Sequence, residues 1–452
     1  MENKTICAIS TPIGSGGISI IRLSGENALE IASKVFSCSV PVLEFEPNKM
    51  YLGSFDAGNF KDKCFCVYFK APKSYTGEHL VEFHCHGGVR LANGVVSALL
   101  NNGAEMAEAG EFTKRAFLNG KVSLDEAEGV IDLINSETES QIKAGYELMQ
   151  GGLRKKVQEL QKLLTTSLAK IEVSMDYPDE DLETGTTAET HAELKVLKEE
   201  LQKLLNTSAT GRTIKEGCKL VILGKTNVGK SSLMNALLCF DRAIVTDIQG
   251  TTRDILEESF EYKGVKFILV DTAGIRDAKD RVEQIGIEKA KEMLNVADVI
   301  LYVVDGSKEL DEEDKKLANT IKNKKTLAII NKCDLKPRAN ENILKEKFGE
   351  VFKISAKENQ GIDTLKEKLY NMVIDSSALS SQVMLTNARH IHIVKQALSL
   401  TEQALNTINM GVTIDLLALD IKNIWLKLGE ITGENNTESI IDEIFMKFCL
   451  GK

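Results

Sequence analysis

No apolar run in this sequence approaches the roughly 20 residues that a membrane-spanning helix needs, so no membrane span is expected. The first residues, Met1-Glu2-Asn3-Lys4-Thr5, lack the basic and then apolar layout of a secretory signal. Nine cysteines are present, among them Cys7, Cys38, Cys64 and Cys66, but there is no C-x-x-C. They read as reduced thiols, and a cytoplasmic location is expected. Positive charge is not in excess either: 56 basic against 66 acidic residues give a formal net charge of −10. That argues against bulk, nonspecific nucleic-acid binding, while a local basic patch or a basic partner stays open. What the chain does have is length and a globular composition. Its 452 residues exceed one hydrophobic core and predict roughly two to four domains.

The clearest local pattern begins at Leu220–Leu223, a short apolar run of strand type. Gly224-Lys225-Thr226-Asn227-Val228-Gly229-Lys230-Ser231 follows. This G-x-x-x-x-G-K-S stands between a strand and a helix, the context a phosphate-binding loop requires. Backbone N–H groups of such a loop surround phosphates. Lys230 is expected at the β- and γ-phosphates and the Ser231 hydroxyl on Mg²⁺, with Asn227, Val228, Gly229 and Ser232 alongside.

Four further motifs follow in order. Asp247-Ile248-Gln249-Gly250-Thr251-Thr252-Arg253-Asp254 is a threonine-bearing switch in which Thr252 can ligate Mg²⁺. Asp271-Thr272-Ala273-Gly274 follows the apolar Phe267–Val270; Asp271 can hold Mg²⁺ and the Gly274 N–H can bind the γ-phosphate. Asn331-Lys332-Cys333-Asp334 follows Leu327–Ile330. The Asp334 carboxylate can accept from the N1–H and 2-amino group of guanine, a donor pair that adenine lacks. Ser355-Ala356-Lys357 would support the base. Over residues 216–375 strand and helix patterns alternate, which predicts a parallel sheet covered by helices on both faces.

The hydrolytic apparatus departs from the Ras pattern. Ile275 follows D-x-x-G, where Ras-type enzymes carry a glutamine that orients the attacking water, and no arginine finger is evident. Another group in the polar stretch Arg276–Gln284 must place the water, and another cation must offset transition-state charge. Asn227 offers either a neutral oxygen to a monovalent cation or a loop-shaping hydrogen bond.

Residues 1–120 read as a small α+β module. Its strands are Ile6–Ile9, Ile18–Leu23, Met50–Phe55, Cys64–Phe69 and Leu80–Cys85, with helices at Ala28–Phe36 and Val89–Leu100. The glycine-rich Thr11–Gly17 is not G-x-G-x-x-G, so a Rossmann site is not expected. His84-Cys85-His86-Gly87-Gly88 does not read as a metal site, because neighbouring strand residues point to opposite faces. Such a module suits dimerisation, ligand binding or both.

On both sides of the nucleotide domain the periodicity is helical. The stripes are Leu153, Val157, Leu160, Leu164, Leu168 and Ile171; Leu194, Leu197, Leu201, Leu204 and Leu205; Ile391, Val394, Leu398, Leu405 and Ile408; and Ile414, Leu417, Ile421, Ile424 and Leu428. Each must bury one side. One helical bundle made from residues 121–215 and 376–452, with the nucleotide domain 216–375 inserted, satisfies them together. Tyr177–Asp181 is a proline-bearing acidic break. Ile440, Ile441, Ile444, Phe445 and Phe448 give the last helix an apolar face that docks it against protein.

The sequence resembles the MnmE (TrmE) family of tRNA-modification GTPases over its whole length. The loop G-x-x-N-x-G-K-S, the switch T-D-I-x-G-T-T-R-D and D-T-A-G carry part of the resemblance. More specific are Thr11–Gly25, Thr76-Gly77-Glu78, Gly110–Thr113, Arg115–Asn119 and the terminal Phe448-Cys449-Leu450-Gly451-Lys452. Lys225-Thr226 departs from it, since the family usually has a proline before the asparagine. The resemblance implies a multidomain α/β protein: an N-terminal α+β tetrahydrofolate-binding and dimerising domain over 1–120, an all-α helical domain, and an inserted G domain activated by potassium. By resemblance Thr246, Asp247, Ile248, Gln249, Gly250, Thr251 and Thr252 line the nucleotide. K⁺ is held by Asn227, Thr246, Ile248 and Thr251, in the place of an arginine finger when two G domains meet. Glu283 orients the water. Arg22, Glu82, Lys121 and Lys452 match the folate contacts, and Cys449 the family's functional cysteine.

The implied activity couples GTP hydrolysis to a flavin-dependent partner of the MnmG (GidA) type. Together they add a carboxymethylaminomethyl or aminomethyl group at C5 of the wobble uridine of certain tRNAs, with the carbon supplied by a 5-formyl or 5,10-methylene tetrahydrofolate. The alternative is a ribosome-assembly GTPase that shares only the G domain. The terminal Cys-Leu-Gly-Lys, the N-terminal module and the lack of a basic RNA-binding tail speak against it. A free-standing folate-dependent methyltransferase leaves the G domain without a use.

Overall fold

The computed structural model describes residues 4–176, 183–238, 258–270, 297–321, 324–381, 383–411, 413–434, 436–448 and 451. It divides into two compact units, Met1–Ile131 with Leu148–Thr186 and Thr413–Lys452, and Asp132–Glu147 with Thr187–Val412. Among the described residues no helix is long and apolar enough to cross a membrane.

The first unit is built on a seven-stranded sheet. Its strands are β1 (Ile6–Ile9), β2 (Ile18–Ser24), β3 (Phe36–Ser37), β4 (Met50–Asp56), β5 (Lys61–Phe69), β6 (Leu80–His86) and β7 (Glu105–Met106), in the order β3-β4-β5-β6-β2-β1-β7. All neighbours are antiparallel except β1 and β7. Alternation sets the faces. In β5, Cys64 and Cys66 are buried while Phe65 between them is exposed. The buried face packs against the helices Ala28–Val35 and Val89–Asn101 through Ile31, Val35, Val95 and Leu99. Each such fully buried side chain is worth about 1.5–3 kcal/mol. The other face leaves Ile18, Leu52 and Phe65 exposed by 65%, 50% and 42%.

Also in this unit, the helices Gly152–Asp176 and Ile414–Thr432 pack together, and the Gln161 side chain donates to the Trp425 carbonyl at 3.2 Å. Leu153, Val157, Leu160, Leu164 and Ile171 are buried as the periodicity predicts, as are Leu417, Ile421, Ile424 and Leu428. Leu168 is only half-buried, because Ser167 takes the inward position. The last helix, Glu438–Phe445, docks through Ile441, Phe445 and the following Phe448 onto Leu124 and Ala127. An ion pair from Lys114 to Asp442 at 2.5 Å pins it to the helix Glu111–Leu118. Ile440 was expected on the docked face but is 39% exposed. It lies one residue, about 100° of helix rotation, behind the face that Ile441, Phe445 and Phe448 share.

The second unit holds a six-stranded sheet of β8 (Cys218–Leu223), β9 (Glu258–Tyr262), β10 (Val265–Val270), β11 (Val299–Asp305), β12 (Thr326–Asn331) and β13 (Val351–Lys353), in the order β13-β12-β11-β8-β10-β9. Every pairing is parallel except that of β9 with β10. The antiparallel edge follows from a two-residue turn at Lys263 (φ 51°) and Gly264 (φ 79°), since two positive φ values make the tight hairpin turn. β11 is buried at every residue. Leu301 and Val303 face one apolar core, and Ile300, Tyr302 and Val304 face a second on the other side. Helices therefore cover both faces. Between Ser123 and Asp176 the chain forms three helices, Leu124–Ile134, Glu139–Met149 and Gly152–Asp176. The Gln141 side chain, accepting from the Glu137 and Thr138 N–H groups, starts the second of them.

The chain leaving the nucleotide-binding region is tied back to the helix Ser208–Glu216 and its N-cap residue Thr207, which lead into β8. Thr210 Oγ1 accepts from the Asp375 N–H at 3.0 Å, and Thr207 Oγ1 accepts from the Leu385 N–H at 3.1 Å. Gly211 lies so close that a Cβ there would run into the Leu385 carbonyl oxygen. Gly211→Ala gains about 1 kcal/mol of helix propensity but overpacks against backbone, at about 1–3 kcal/mol or more. The clash should win and thermal melting should drop by several degrees; an unchanged or higher Tm would contradict this packing.

Candidate nucleotide site

β8, β11, β12 and β13 run parallel, so their C-terminal ends open along one edge of the sheet, where such folds bind ligands. Four loops start there. The phosphate loop leaves β8, Asp305 ends β11, Asn331–Asp334 leaves β12, and Ser355–Lys357 follows β13. Asp305 and Asn331 are cross-strand partners.

Asn331 joins these loops. It is 2% exposed. Its Nδ2 donates to the Val228 carbonyl at 2.9 Å, and its Oδ1 accepts from the Ala356 N–H at 3.0 Å. Gly229 (φ +98°) makes room for it, since a Cβ there would collide with Asn331 Nδ2. The next residue continues the bracing: Lys332 Nζ donates to the Asn227 carbonyl at 2.7 Å and to Asp305 Oδ2 at 2.6 Å. Asp334 is exposed, and one of its oxygens accepts from Ser355 Oγ at 2.6 Å. The carboxylate is thereby oriented with lone pairs to spare. Ser355 itself is fixed by a two-way main-chain bridge to Gln360. Lys357 is exposed beside Glu358.

In the phosphate loop Lys230 Nζ donates to the Gly224 and Lys225 carbonyls at 2.7 and 2.6 Å. Ser231 and Ser232 are exposed in the first turn of the helix Lys230–Leu238, and Asn227 is exposed at φ 63°. The electrostatics favour ionised carboxylates. Burial opposes charge on Asp305, but hydrogen bonds from Lys332 and Ser307 outweigh it and lower its pKa. The Ser355 hydrogen bond does the same for Asp334.

Thr246, Asp247, Ile248, Gln249, Gly250, Thr251, Thr252, Asp271, Thr272, Ala273, Gly274, Glu283, Cys449 and Lys452 lie outside the described residues. So do Ile275, Arg276–Gln284 and Tyr177–Asp181. The sequence reading missed Asp305, which anchors Lys332, and the ion pairs of Lys225 with Asp311 and Asp314. Asp311 had a signal, an N-cap residue followed three positions on by a second acid.

Arg22, Glu82 and Lys121 stand in the first unit. Arg22 and Glu82 are cross-strand partners on β2 and β6. Arg22 Nε donates to Glu82 Oε1 at 2.8 Å, and the guanidinium lies 5.4 Å from the centre of the Tyr75 ring. Glu82 Oε2 is 3.2 Å from His84 Nε2. Burial opposes ionisation of Glu82, yet these partners hold its pKa below the usual range. Lys121 donates to the Pro72 carbonyl at 3.1 Å. Near the opposite face, the ligand atoms of Asp62, Cys64 and Cys85 lie within 4.8 Å of one another. A hydrogen bond to Cys64 and burial push the Cys85 thiol far up, which keeps it protonated.

The sheet, the loop and the base-side cradle define a P-loop GTPase fold joined to an α+β module and helices. Two family models match the chain: the one described as the GTP-binding protein TrmE N-terminus matches residues 5–121, and the one described as the MnmE helical domain matches residues 124–449. The chain is 42% identical over 456 residues to the tRNA modification GTPase MnmE of Clostridioides difficile, covering 100% of this chain and 99% of that protein. It is 40% identical over 459 residues to that of Levilactobacillus brevis and 42% over 460 residues to that of Alkaliphilus oremlandii, with the same coverage. The chain belongs to the MnmE family.

Asn331→Ala strands two buried main-chain groups, the Val228 carbonyl and the Ala356 N–H, at about 1–3 kcal/mol each. Chemical denaturation should show a loss of about 2–4 kcal/mol, with weaker guanine-nucleotide binding by titration. Wild-type values for both would remove Asn331 from its bridging role.

Proposed function

We propose that this chain is a GTP hydrolase of tRNA modification, working through three domains: residues 1–120, residues 121–215 with 376–452, and residues 216–375. The single observation that carries the reading is the Asn331 bridge, which ties the phosphate loop to the loops bearing Asp334 and Ser355. A carboxylate presented there matches the N1–H and 2-amino donors of guanine. Lys230 leaves its loop carbonyls to meet the β- and γ-phosphates. Ser231 and Thr252 would hold Mg²⁺, which would supply charge neutralisation; the exposed Ser231 hydroxyl suits it. Asn227, Thr246, Ile248 and Thr251 would hold K⁺, which would supply the positive charge of an arginine finger; the exposed Asn227 suits that set. Glu283 places the water that Ile275 cannot hydrogen-bond.

In the N-terminal domain Arg22, Glu82 and Lys121, with Lys452, would hold the pterin and carboxylates of a tetrahydrofolate, the one-carbon donor. Two observations support this. Arg22 and Glu82 share the open sheet face with exposed Ile18, Leu52 and Phe65, an apolar surface suited to the second copy of a homodimer. Ser10 Oγ donates to the Gly451 carbonyl at 3.0 Å, so Gly451 lies just beyond β1. Ala8 of β1 is registered with Arg22. Cys449 would belong to the same site. tRNA and a flavin-dependent partner complete the system, in the cytoplasm, with addition at C5 of the wobble uridine.

Mass spectrometry of tRNA from cells lacking this protein should show wobble uridines without the C5 substituent. Normal wobble uridines would contradict the reading and favour ribosome assembly. GTP turnover should be faster in K⁺ than in Na⁺ at equal ionic strength, and Asn227→Ala should abolish the difference. Equal rates in both salts would exclude the K⁺ role.

A further inference from the structure

Lys225 is the first variable residue of the phosphate loop, and motif reasoning gives it no role. In the structure its Nζ lies 2.5 Å from Asp311 Oδ2 and 2.9 Å from Asp314 Oδ2. Both acids belong to the start of the helix Glu312–Thr320, which follows β11, the sheet neighbour of β8. This helix start is fixed independently of Lys225. Asp311 Oδ1 accepts from the Glu313 and Asp314 N–H groups at 3.0 and 3.1 Å, and Asp314 Oδ2 accepts from the Asp311 N–H at 3.2 Å. The Tyr302 hydroxyl of β11, itself fully buried, donates to the Asp314 carbonyl at 2.9 Å. Lys225 therefore reaches from a pliable loop to a rigid post.

The loop needs such a post. Neither Lys225 nor Thr226 is proline, so no ring fixes φ there. The second half of the loop is braced by Asn331 at Val228 and by Lys332 at Asn227. The first half has Lys230 bonded to the Gly224 and Lys225 carbonyls. Those are the bonds that Lys230 gives up when it takes phosphate oxygens, whereas the Lys225 side chain is tied on the other side and stays.

We propose that Lys225 is a positioning residue, an ion-pair clamp to Asp311 and Asp314 that keeps the first half of the phosphate loop in shape while Lys230 moves onto the nucleotide. The Lys225 hydrogen bond also holds the Asp311 carboxyl down to about 2, so the clamp is charged throughout the neutral range. The inference rests on reading this loop as the GTP site. Binding of a fluorescent GDP analogue to the wild-type full chain checks that reading, and the variants check the clamp. A clamp that shapes the loop for ground state and transition state alike changes affinity, not turnover. Lys225→Met should raise the Kd for the analogue and the KM for GTP about tenfold, the scale of a lost charge-assisted hydrogen bond, with kcat changed less than about threefold. Lys225→Arg should restore affinity.

Asp311→Asn with Asp314→Asn keeps the helix cap, since asparagine caps as well. It should match Lys225→Met, and all three changes together should be no weaker, as expected of groups acting as one unit. If Lys225→Met does not fold by circular dichroism, the two asparagine changes carry the test. Wild-type affinity in Lys225→Met, or in the asparagine pair, overturns the clamp. So does a Lys225→Arg as weak as Lys225→Met.

Discussion

The buried Asn331 amide is the constraint on which the nucleotide-binding half depends. A primary amide offers a donor and an acceptor on one rigid plane. Here each is used once on main chain, at Val228 and at Ala356. Two loops separated by more than a hundred residues are thereby set at a fixed distance in a site with little water, where an unmet partner is costly. One side chain thus sets the spacing between the phosphate loop and the loop that bears Ser355. Lys332 and Asp305 add a charged brace next to it, and Ser355 turns the Asp334 carboxylate outward.

The sheet of the N-terminal module follows a different logic. One face is closed by two helices, and the other carries the Arg22–Glu82 pair among exposed apolar residues. A paired arginine and glutamate on such a surface are poorly solvated but accessible. That suits recognition of a polar heterocycle and its anionic tail when a second surface closes over them. Near the end of the chain, Phe445 and Phe448 pack on Leu124 and Ala127, and Gly451 is bonded to Ser10. Ser10, near the start of the sequence, and Gly451, near its end, thus meet in one unit.

Much of this was legible in the sequence, for reasons that differ by element. Five strands and two helices of the module were readable because alternation and 3.6-residue periodicity are local signals; the helix Glu111–Leu118 was not among them. β3 and β7, two residues each, were not, because they exist only through pairing with distant strands. The antiparallel β9 edge follows from Lys263 and Gly264, a turn that an alternating strand–helix pattern hides. The phosphate loop and the asparagine–aspartate motif were readable because phosphate and guanine dictate residue types at fixed spacing. Lys225 with Asp311 and Asp314 was not, since an ion pair spanning about ninety positions leaves no spacing to recognise. Ile440 shows the limit of a stripe: a two-turn helix has too few residues to fix its buried face to better than one position.

On the proposed guanine reading, Asp334, oriented by Ser355, reads the base. Calorimetric titration of the full chain with GDP, inosine diphosphate and ADP tests it by counting donors. Guanine offers two N–H donor groups to the carboxylate, hypoxanthine one and adenine none. Affinity should fall in that order, by about tenfold or more at each step. Equal affinity for GDP and inosine diphosphate, or ADP binding as tight as GDP, would contradict the account.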